Sequence, residues 1–447
     1  MQLDRKSMLK LLMPVLVDQL FITLLPMANT IIVSKLGQSS MSSVSVIDQV
    51  NQLVSFTIVA IGFGGAVMAA QYVGKGDQQA VRRVVKQSYS SSLMVACLAT
   101  ALVTLFNGAV IKLALGNAAG AEMISAARTY LMITCISYPF YCFYSNTTQV
   151  LRGVGEPRKA MYMSVLMNLS NFALSLLFIY GFRLGIQGAA LASLLGRVIG
   201  TLLGLLLVSR TGICTRLSDF FTFKLDLATQ KTMIRLGVPT GMQSFFFVGA
   251  RLVMNRFILD NGGAMHLSAN VVFTQILDLQ CTGSTFVIGM APAIMGMAKG
   301  RGDQEGMVRA FKDLCFFAFW FGLVFSILPV TLAGQFPKIY NLQPESALIA
   351  KRMITWNPLY IAPLVWFAQV APASFRGIGD SIVPPIITIG ALWGGRVVTI
   401  AVLTTFFGFG AYASYFAVAV DYILRTILYA WRYKSGAWLR AQRGVDE

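Results

Sequence analysis

Leu151-Arg152-Gly153-Val154-Gly155-Glu156 returns, nearly letter for letter, as Phe375-Arg376-Gly377-Ile378-Gly379-Asp380. Outward from this stretch, Gly74-Lys75-Gly76-Asp77 returns as Gly300-Arg301-Gly302-Asp303, and Pro139 returns as Pro363. The spacing is about 225 residues each time, half the chain, so the repeated unit is a whole bundle and not a solenoid module. The strings are separated by apolar stretches of membrane-crossing length. The sequence therefore reads as an all-α polytopic membrane protein, with twelve transmembrane helices in two six-helix lobes related by pseudo-two-fold symmetry.

Composition agrees. The 447 residues are 56 % hydrophobic and 12 % charged, with a mean hydropathy of +0.67. A soluble domain could not hide that much apolar surface, so lipid is the solvent for most of the chain. The net charge of +18 would suggest nucleic acid in a soluble protein; here the cations gather in alternate loops, and the positive-inside rule explains them without any nucleic-acid partner. The six cysteines form no CxxC pair and read as free thiols and small core residues. The single His266 excludes any site that needs two histidines. Arg5, Lys6 and Lys10 precede an apolar run past Val33 with no small-residue cleavage site, which reads as a first spanning helix and not a signal peptide.

Stretches of roughly 20 apolar residues fall at 8–33, 44–71, 86–110, 123–150, 160–182, 186–209, 233–258, 268–298, 309–333, 348–374, 383–407 and 410–433. The most polar interval lies between the sixth and seventh. It divides an N-terminal lobe, 1–215, from a C-terminal lobe, 233–447, with a linker at 216–232. With the N-terminus in the cytoplasm, roughly two dozen cations lie on the inner side against about seven outside. Both termini are then cytoplasmic. Six spans per half give the halves a shared orientation, which implies an axis along the membrane normal and a cavity between lobes.

Three groups of residues carry a family likeness. The first is Pro14, Ala28-Asn29-Thr30-Ile31-Ile32-Val33-Ser34-Lys35-Leu36-Gly37 and Ala70-Gln71-Tyr72-Val73-Gly74-Lys75-Gly76-Asp77. The second is Arg152-Gly153-Val154-Gly155, Asn168, Asn171 and Gly185-Ile186-Gln187-Gly188-Ala189-Ala190-Leu191-Ala192. The third is Leu236-Gly237-Val238-Pro239 and Arg376-Gly377-Ile378-Gly379-Asp380. In order and over essentially the whole chain, these resemble the multidrug and toxic compound extrusion (MATE) family. The resemblance implies twelve helices in two lobes and export of amphipathic or cationic compounds, driven by entry of H+ or Na+, in a bacterial or archaeal inner membrane. It also exposes departures. Where many members carry Asp, this chain has Asn29; where many proton-coupled members carry a second Asp, it has Ser175. The acids of sodium-coupled members in the seventh and tenth helices are also missing, the nearest positions lying around Phe247 and Val365.

Coupling must then be sought among the intramembrane acids Asp18, Asp48, Asp278 and Asp421. Each costs about 3 kcal/mol or more at mid-bilayer unless it has a partner, a wet cavity or a proton. Asp18, Asp278 and, in reserve, Asp48 are the candidates for cation or proton coupling, against the alternative of a fixed structural partner. Asp421 has Arg425 four residues on and reads as half of a local ion pair. Arg197, Arg251 and Arg396 must face a lumen or a carboxylate; for Arg251, internal pairing with Asp48 or Asp278 competes with contact to an anionic group on a substrate. Gln49 and Gln275 correspond between halves, as do Gln52 and Asp278. With Asn29, Asn168 and Asn171, the two glutamines Gln49 and Gln275 are candidates to line a cavity or to act as interhelical glue. Phe246 and Met290, among other rings and thioethers of the seventh and eighth spans, suit a greasy substrate pocket or a lipid face equally. The three Gly-x-Gly-Asp strings place Asp77, Asp303 and Asp380 in basic loops, where they read as Gly turns with Asp capping the next helix and not as protease acids.

The expected function is antiport of small molecules by alternating access. It needs no cofactor beyond a coupling ion and no partner beyond substrate and bilayer, and a monomer suffices. A flippase or exporter of lipid-linked or anionic precursors, kept alive by the three arginines, is the alternative. A membrane-embedded enzyme is disfavoured for want of a nucleophile–base pair.

Overall fold

A computed structural model describes residues 5–34, 38–115, 121–210, 226–340 and 342–440. Among them the regular structure is helical throughout. In the first half run α1 (Arg5–Ser34), α2 (Gln38–Lys75), α3 (Gln78–Leu105), α4 (Asn107–Leu115), α5 (Ala121–Ile136), α6 (Tyr138–Gly153), α7 (Pro157–Leu176) and α8 (Gly185–Ser209). The second half holds α9 (Leu227–Ile288), α10 (Ala291–Gly300), α11 (Gln304–Thr331), α12 (Phe336–Ile339), α13 (Pro344–Trp356), α14 (Pro358–Tyr360), α15 (Trp366–Gly377), α16 (Val383–Gly390), α17 (Val398–Thr405), α18 (Tyr412–Lys434) and α19 (Ala437–Arg440). All twelve expected spans have a counterpart.

Nine of the twelve are long and apolar enough to cross a bilayer, among the described residues. The other three have visible causes. The fourth span breaks at Ser137, ahead of Pro139, into α5 and α6. The tenth breaks at Asn357, and its Pro363 lies in a π-helical turn, Ile361–Val365. A proline lacks the N–H that would continue the ladder and crowds the preceding turn. The seventh is the polar first part of α9, which carries Gln243, Ser244 and Arg251. α9 is one run only in name: Gly263 takes φ 72° and breaks it, a conformation that costs a side-chain-bearing residue about 1 kcal/mol or more.

By packing, the chain divides into two compact units. One is Met13–Gly241; the other joins Met1–Leu12 to Met242–Glu447. The divisions fall inside α1 and inside α9. Most of the expected linker, 216–232, lies outside the described residues.

Within each unit the repeated motifs perform the same packing task. In the first, Gly153 of α6 sits so close to α2 that an added Cβ would lie 2.8 Å from the Ala66 carbonyl oxygen. In the second, Gly377 of α15 meets the Pro292 carbonyl oxygen of α10 at 2.5 Å by the same measure. The Arg-Gly-x-Gly string therefore recurs because two helix backbones touch there, and only hydrogen fits between them. The turn readings of Asp77 and Asp303 also hold: the Asp77 carboxylate accepts from the Ala80 amide at 2.9 Å and Asp303 from the Gly306 amide at 2.7 Å, each satisfying an orphan N–H of a first helical turn. Asp380 departs from the pattern. Its carboxylate also takes Arg432 of α18 at 2.7 Å, a charge-assisted partner that a distant helix supplies.

Apolar cores lie inside each unit, around Ile47, Ile58, Leu131 and Tyr138 in the first and around Phe273, Ile276, Met353 and Tyr422 in the second. Leu98, Leu102, Leu105, Val324 and Leu328 are exposed, which water would penalise and lipid does not. Of the cysteines described, Cys135, Cys142, Cys281 and Cys315 are buried free thiols, and Cys97 is free but exposed; Cys214 lies outside the described residues.

Candidate functional site

The intramembrane acids divide into two that are locked by arginine and two that are not. Asp18 of α1 is buried and ion-paired with Arg152 of the repeated motif on α6. A buried carboxylate bound to one guanidinium is already neutralised, so Asp18 is tied down in this structure. Asp421 of α18 is 0 % exposed and takes two arginines, Arg396 at 2.5 Å and Arg425 at 2.6 Å. The expected i,i+4 pair with Arg425 is present. Arg396 arrives from the π-helical turn Ala391–Val397, and Tyr422 lies under both guanidiniums at 5.6 and 5.8 Å.

Asp48, on α2, is exposed and has no arginine or lysine within ion-pair distance among the described residues. It accepts instead from the hydroxyl of Tyr130 on α5 at 2.9 Å and from the Asn51 amide at 3.4 Å. The Asn51 oxygen in turn accepts from the Tyr138 hydroxyl of α6 at 2.7 Å, and Thr134 lies 3.3 Å from its nitrogen. At the α5–α6 break, Arg197 of α8 donates to the Ser137 hydroxyl at 2.5 Å and stacks over the Tyr141 ring at 4.8 Å. A titratable acid therefore sits at the open edge of a hydrogen-bonded polar network inside the first unit. Asp278, on α9 in the second unit, is likewise exposed and makes no ion pair among the described residues.

The neutral candidates are scattered. Asn168 donates to the Ser164 carbonyl of its own helix at 2.9 Å, and Asn171 donates to Ser193 of α8 at 3.2 Å; both are helix-to-backbone or helix-to-helix bonds. Gln49 is exposed, whereas Gln275 accepts from the Tyr340 hydroxyl at 2.5 Å, so the two corresponding amides have different neighbours. Arg251 is exposed, its hydrogen bond reaching Thr274 at 3.5 Å; internal pairing with Asp278 is not present. Phe246 is half-buried and meets Trp393 edge-on, ring centres 6.4 Å apart. Met290 is 0 % exposed and packs in the core at the start of α10. The side chain of Asn29 lies outside the described residues. Sequence reading missed Tyr130, Asn51, Thr134 and Tyr138. Asn51 follows Asp48 by three residues on α2, but nothing in the spacing marks Tyr130, Thr134 and Tyr138, which reach this pair only through packing of α2 against α5 and α6.

Fold and composition define a polytopic helical membrane protein. Comparison with known proteins narrows this. The MatE family model matches residues 14–177. A probable multidrug resistance protein NorM of Thermotoga maritima is 24 % identical, over 97 % of this chain and 93 % of that one. An uncharacterized transporter, YisQ of Bacillus subtilis, is 21 % identical over 98 % and 96 %. Among solved structures, an outward-facing multidrug resistance MATE transporter of the MOP superfamily superposes with a TM-score of 0.86 at 22 % identity, covering 97 % of this chain and 96 % of that one. A MOP-superfamily transporter from Pyrococcus furiosus, described as having a binding pocket of reverse polarity, gives 0.86 at 21 % identity over the same shares. In sequence over residues 14–177, and in fold over nearly its whole length, the chain is similar to transporters of the MATE family.

Proposed function

We propose that this protein is a secondary antiporter of the inner membrane, with both termini cytoplasmic, that exports amphipathic or cationic small molecules against entry of H+ or Na+. Residues 1–215 and 233–447 would act as its two moving parts, in a monomer. The observation that carries the reading is the pair Asp48 and Asp278: one intramembrane acid in each unit, exposed and without an arginine within ion-pair distance among the described residues. An acid already neutralised by arginine cannot exchange a cation cheaply, whereas an unpaired one in a wet cavity can bind a proton, a metal cation or a cationic drug, one at a time. Such competition is what an antiporter requires, because the ion and the substrate must favour different occupancy states of the same site. The family's usual coupling positions hold Asn29 and Ser175, which shifts that role to other acids in this chain.

The test is efflux from inverted vesicles carrying Asp48→Asn, Asp278→Asn and Asp18→Asn, with pH and sodium gradients imposed separately. Loss of gradient-driven efflux in Asp48→Asn or Asp278→Asn is expected. Undiminished efflux in both would refute the assignment.

A second reading, export of an anionic amphiphile, is favoured by Arg251, an exposed guanidinium with no carboxylate partner among the described residues. The reversed pocket polarity attributed to the Pyrococcus furiosus relative is in the same direction. Arg251→Gln separates the two: it should weaken binding of anions and leave cations unaffected.

A further inference from the structure

Within the second unit, α9 folds back on itself at Gly263. The Asn270 amide donates to the Asn255 side-chain oxygen at 3.3 Å, and Arg251 donates to the Thr274 hydroxyl at 3.5 Å. The partners are 15 and 23 positions apart, far out of reach along a straight helix, so the two arms run antiparallel. From the first pair to the second, each arm advances by four residues, one helical turn. One more such step sets Phe247 on the first arm level with Asp278 on the second.

Arg251 and Asp278 are therefore opposite charges about one helical turn apart on neighbouring arms of one hairpin. They do not close on each other. The guanidinium stops at Thr274, and neither group makes an ion pair among the described residues. Arg396 also acts on Asp278 through its field, but that guanidinium holds Asp421 at 2.5 Å. Both Arg251 and Asp278 are exposed, and Phe247 beside them is 40 % exposed. A guanidinium cannot be discharged, and neither charge can face lipid cheaply. The pair must look onto water, with an apolar ring next to it.

The arrangement selects by charge. A cation drawn to Asp278 is repelled by Arg251, and an anion drawn to Arg251 is repelled by Asp278; like charges set against each other are a strong element of discrimination. A ligand bearing both signs satisfies both groups at once.

We infer that the second unit binds zwitterionic amphiphiles between Arg251 and Asp278, with the ligand's carboxylate on Arg251, its ammonium on Asp278 and its apolar body against Phe247. The inference rests on the transport reading above and names a substrate class for it. The cation and anion readings each account for one of these two charges; a zwitterion accounts for both.

The experiment is isothermal titration of the purified full chain in non-ionic detergent with three probes on one aromatic body. They are a naphthylmethyl carboxybetaine, naphthylmethyl-trimethylammonium and naphthylacetate, which carry both charges, the positive one and the negative one. The betaine should bind about tenfold or more tighter than either singly charged probe, the gain of one charge-assisted contact and the loss of one repulsion. This ranking is read on the wild type and depends on no variant folding. Arg251→Gln should bring the betaine down to the affinity of the cation, and Asp278→Asn should bring it down to that of the anion. Arg256→Gln, an exposed arginine of the same helix that already holds Asp260 at 2.7 Å, should leave all three affinities unchanged. A betaine that binds no tighter than the better singly charged probe overturns the inference. So does a fall of equal size for all three probes in Arg251→Gln or Asp278→Asn. No gradient is present in this assay, so its failure leaves the antiport reading standing. Loss of gradient-driven efflux in Asp278→Asn with an unchanged betaine affinity would support coupling by that acid and overturn the zwitterion site.

Discussion

Asp421→Asn removes the carboxylate that two buried guanidiniums share. The Asp421 side chain is 0 % exposed, and those of Arg396 and Arg425 are 8 % and 10 % exposed. Breaking a buried ion pair from one side costs about 3–5 kcal/mol, because the remaining charge is left uncompensated. Here two like charges are left facing each other, so the upper half of that range applies. An unfolding entropy of about 2.1 cal/mol/K per residue, spread over a second unit of about 220 residues, converts about 4–5 kcal/mol into a fall in Tm of roughly 9–11 °C. Arg425→Met is the control. It leaves Asp421 bound to Arg396 as an ordinary one-to-one pair, at a loss of one charge-assisted hydrogen bond worth about 1.5–3 kcal/mol, part of which returns as avoided desolvation. Thermal unfolding of both variants in detergent, followed by tryptophan fluorescence, decides the matter. If Asp421→Asn unfolds no earlier than Arg425→Met, the buried triad does not stabilise the second unit as argued.

Three further outcomes are expected. Tyr130→Phe removes one hydrogen bond to Asp48, worth about 1.5–3 kcal/mol to a charged acceptor, and should shift the pH profile of efflux without abolishing it, whereas Asp48→Asn should abolish the pH response; equal effects would remove Asp48 from its proposed role. Gly377→Ala drives a Cβ to 2.5 Å from the Pro292 carbonyl and should cost about 1–3 kcal/mol, while Gly390→Ala, with nothing within 4 Å, should be neutral or slightly stabilising in the same thermal assay. At the start of α9, a hydrogen bond from Thr229 holds the Asp226 carboxyl below the usual carboxylate range. A carboxyl lowered in the folded state stabilises above its unfolded pKa, and that support fades as pH falls through the folded value. The unfolding curves of wild type and Asp226→Ala should therefore differ at neutral pH and converge in acid.

Several features were legible without coordinates because their causes are local. Twelve apolar stretches demand twelve spans, since lipid leaves no other partner for backbone N–H and C=O groups. Asp77 and Asp303 declare themselves as caps by standing between a glycine turn and a helix start. Asp421 and Arg425 pair because one helical turn brings them together. At Asp380 a distant element adds what spacing could not show: Arg432, on another helix, meets its carboxylate.

The acids show the limit. Asp18 and Asp48 look alike along the chain, each a lone carboxylate in an apolar helix. Asp18 is neutralised by an arginine 134 positions away, and Asp48 is met by a tyrosine 82 positions away. Hydropathy and spacing, which act within a few turns, determine how many helices there are, how they repeat and where they turn. Which carboxylate meets a guanidinium and which a hydroxyl depends on which helices pack side by side, and no spacing along the chain carries that information.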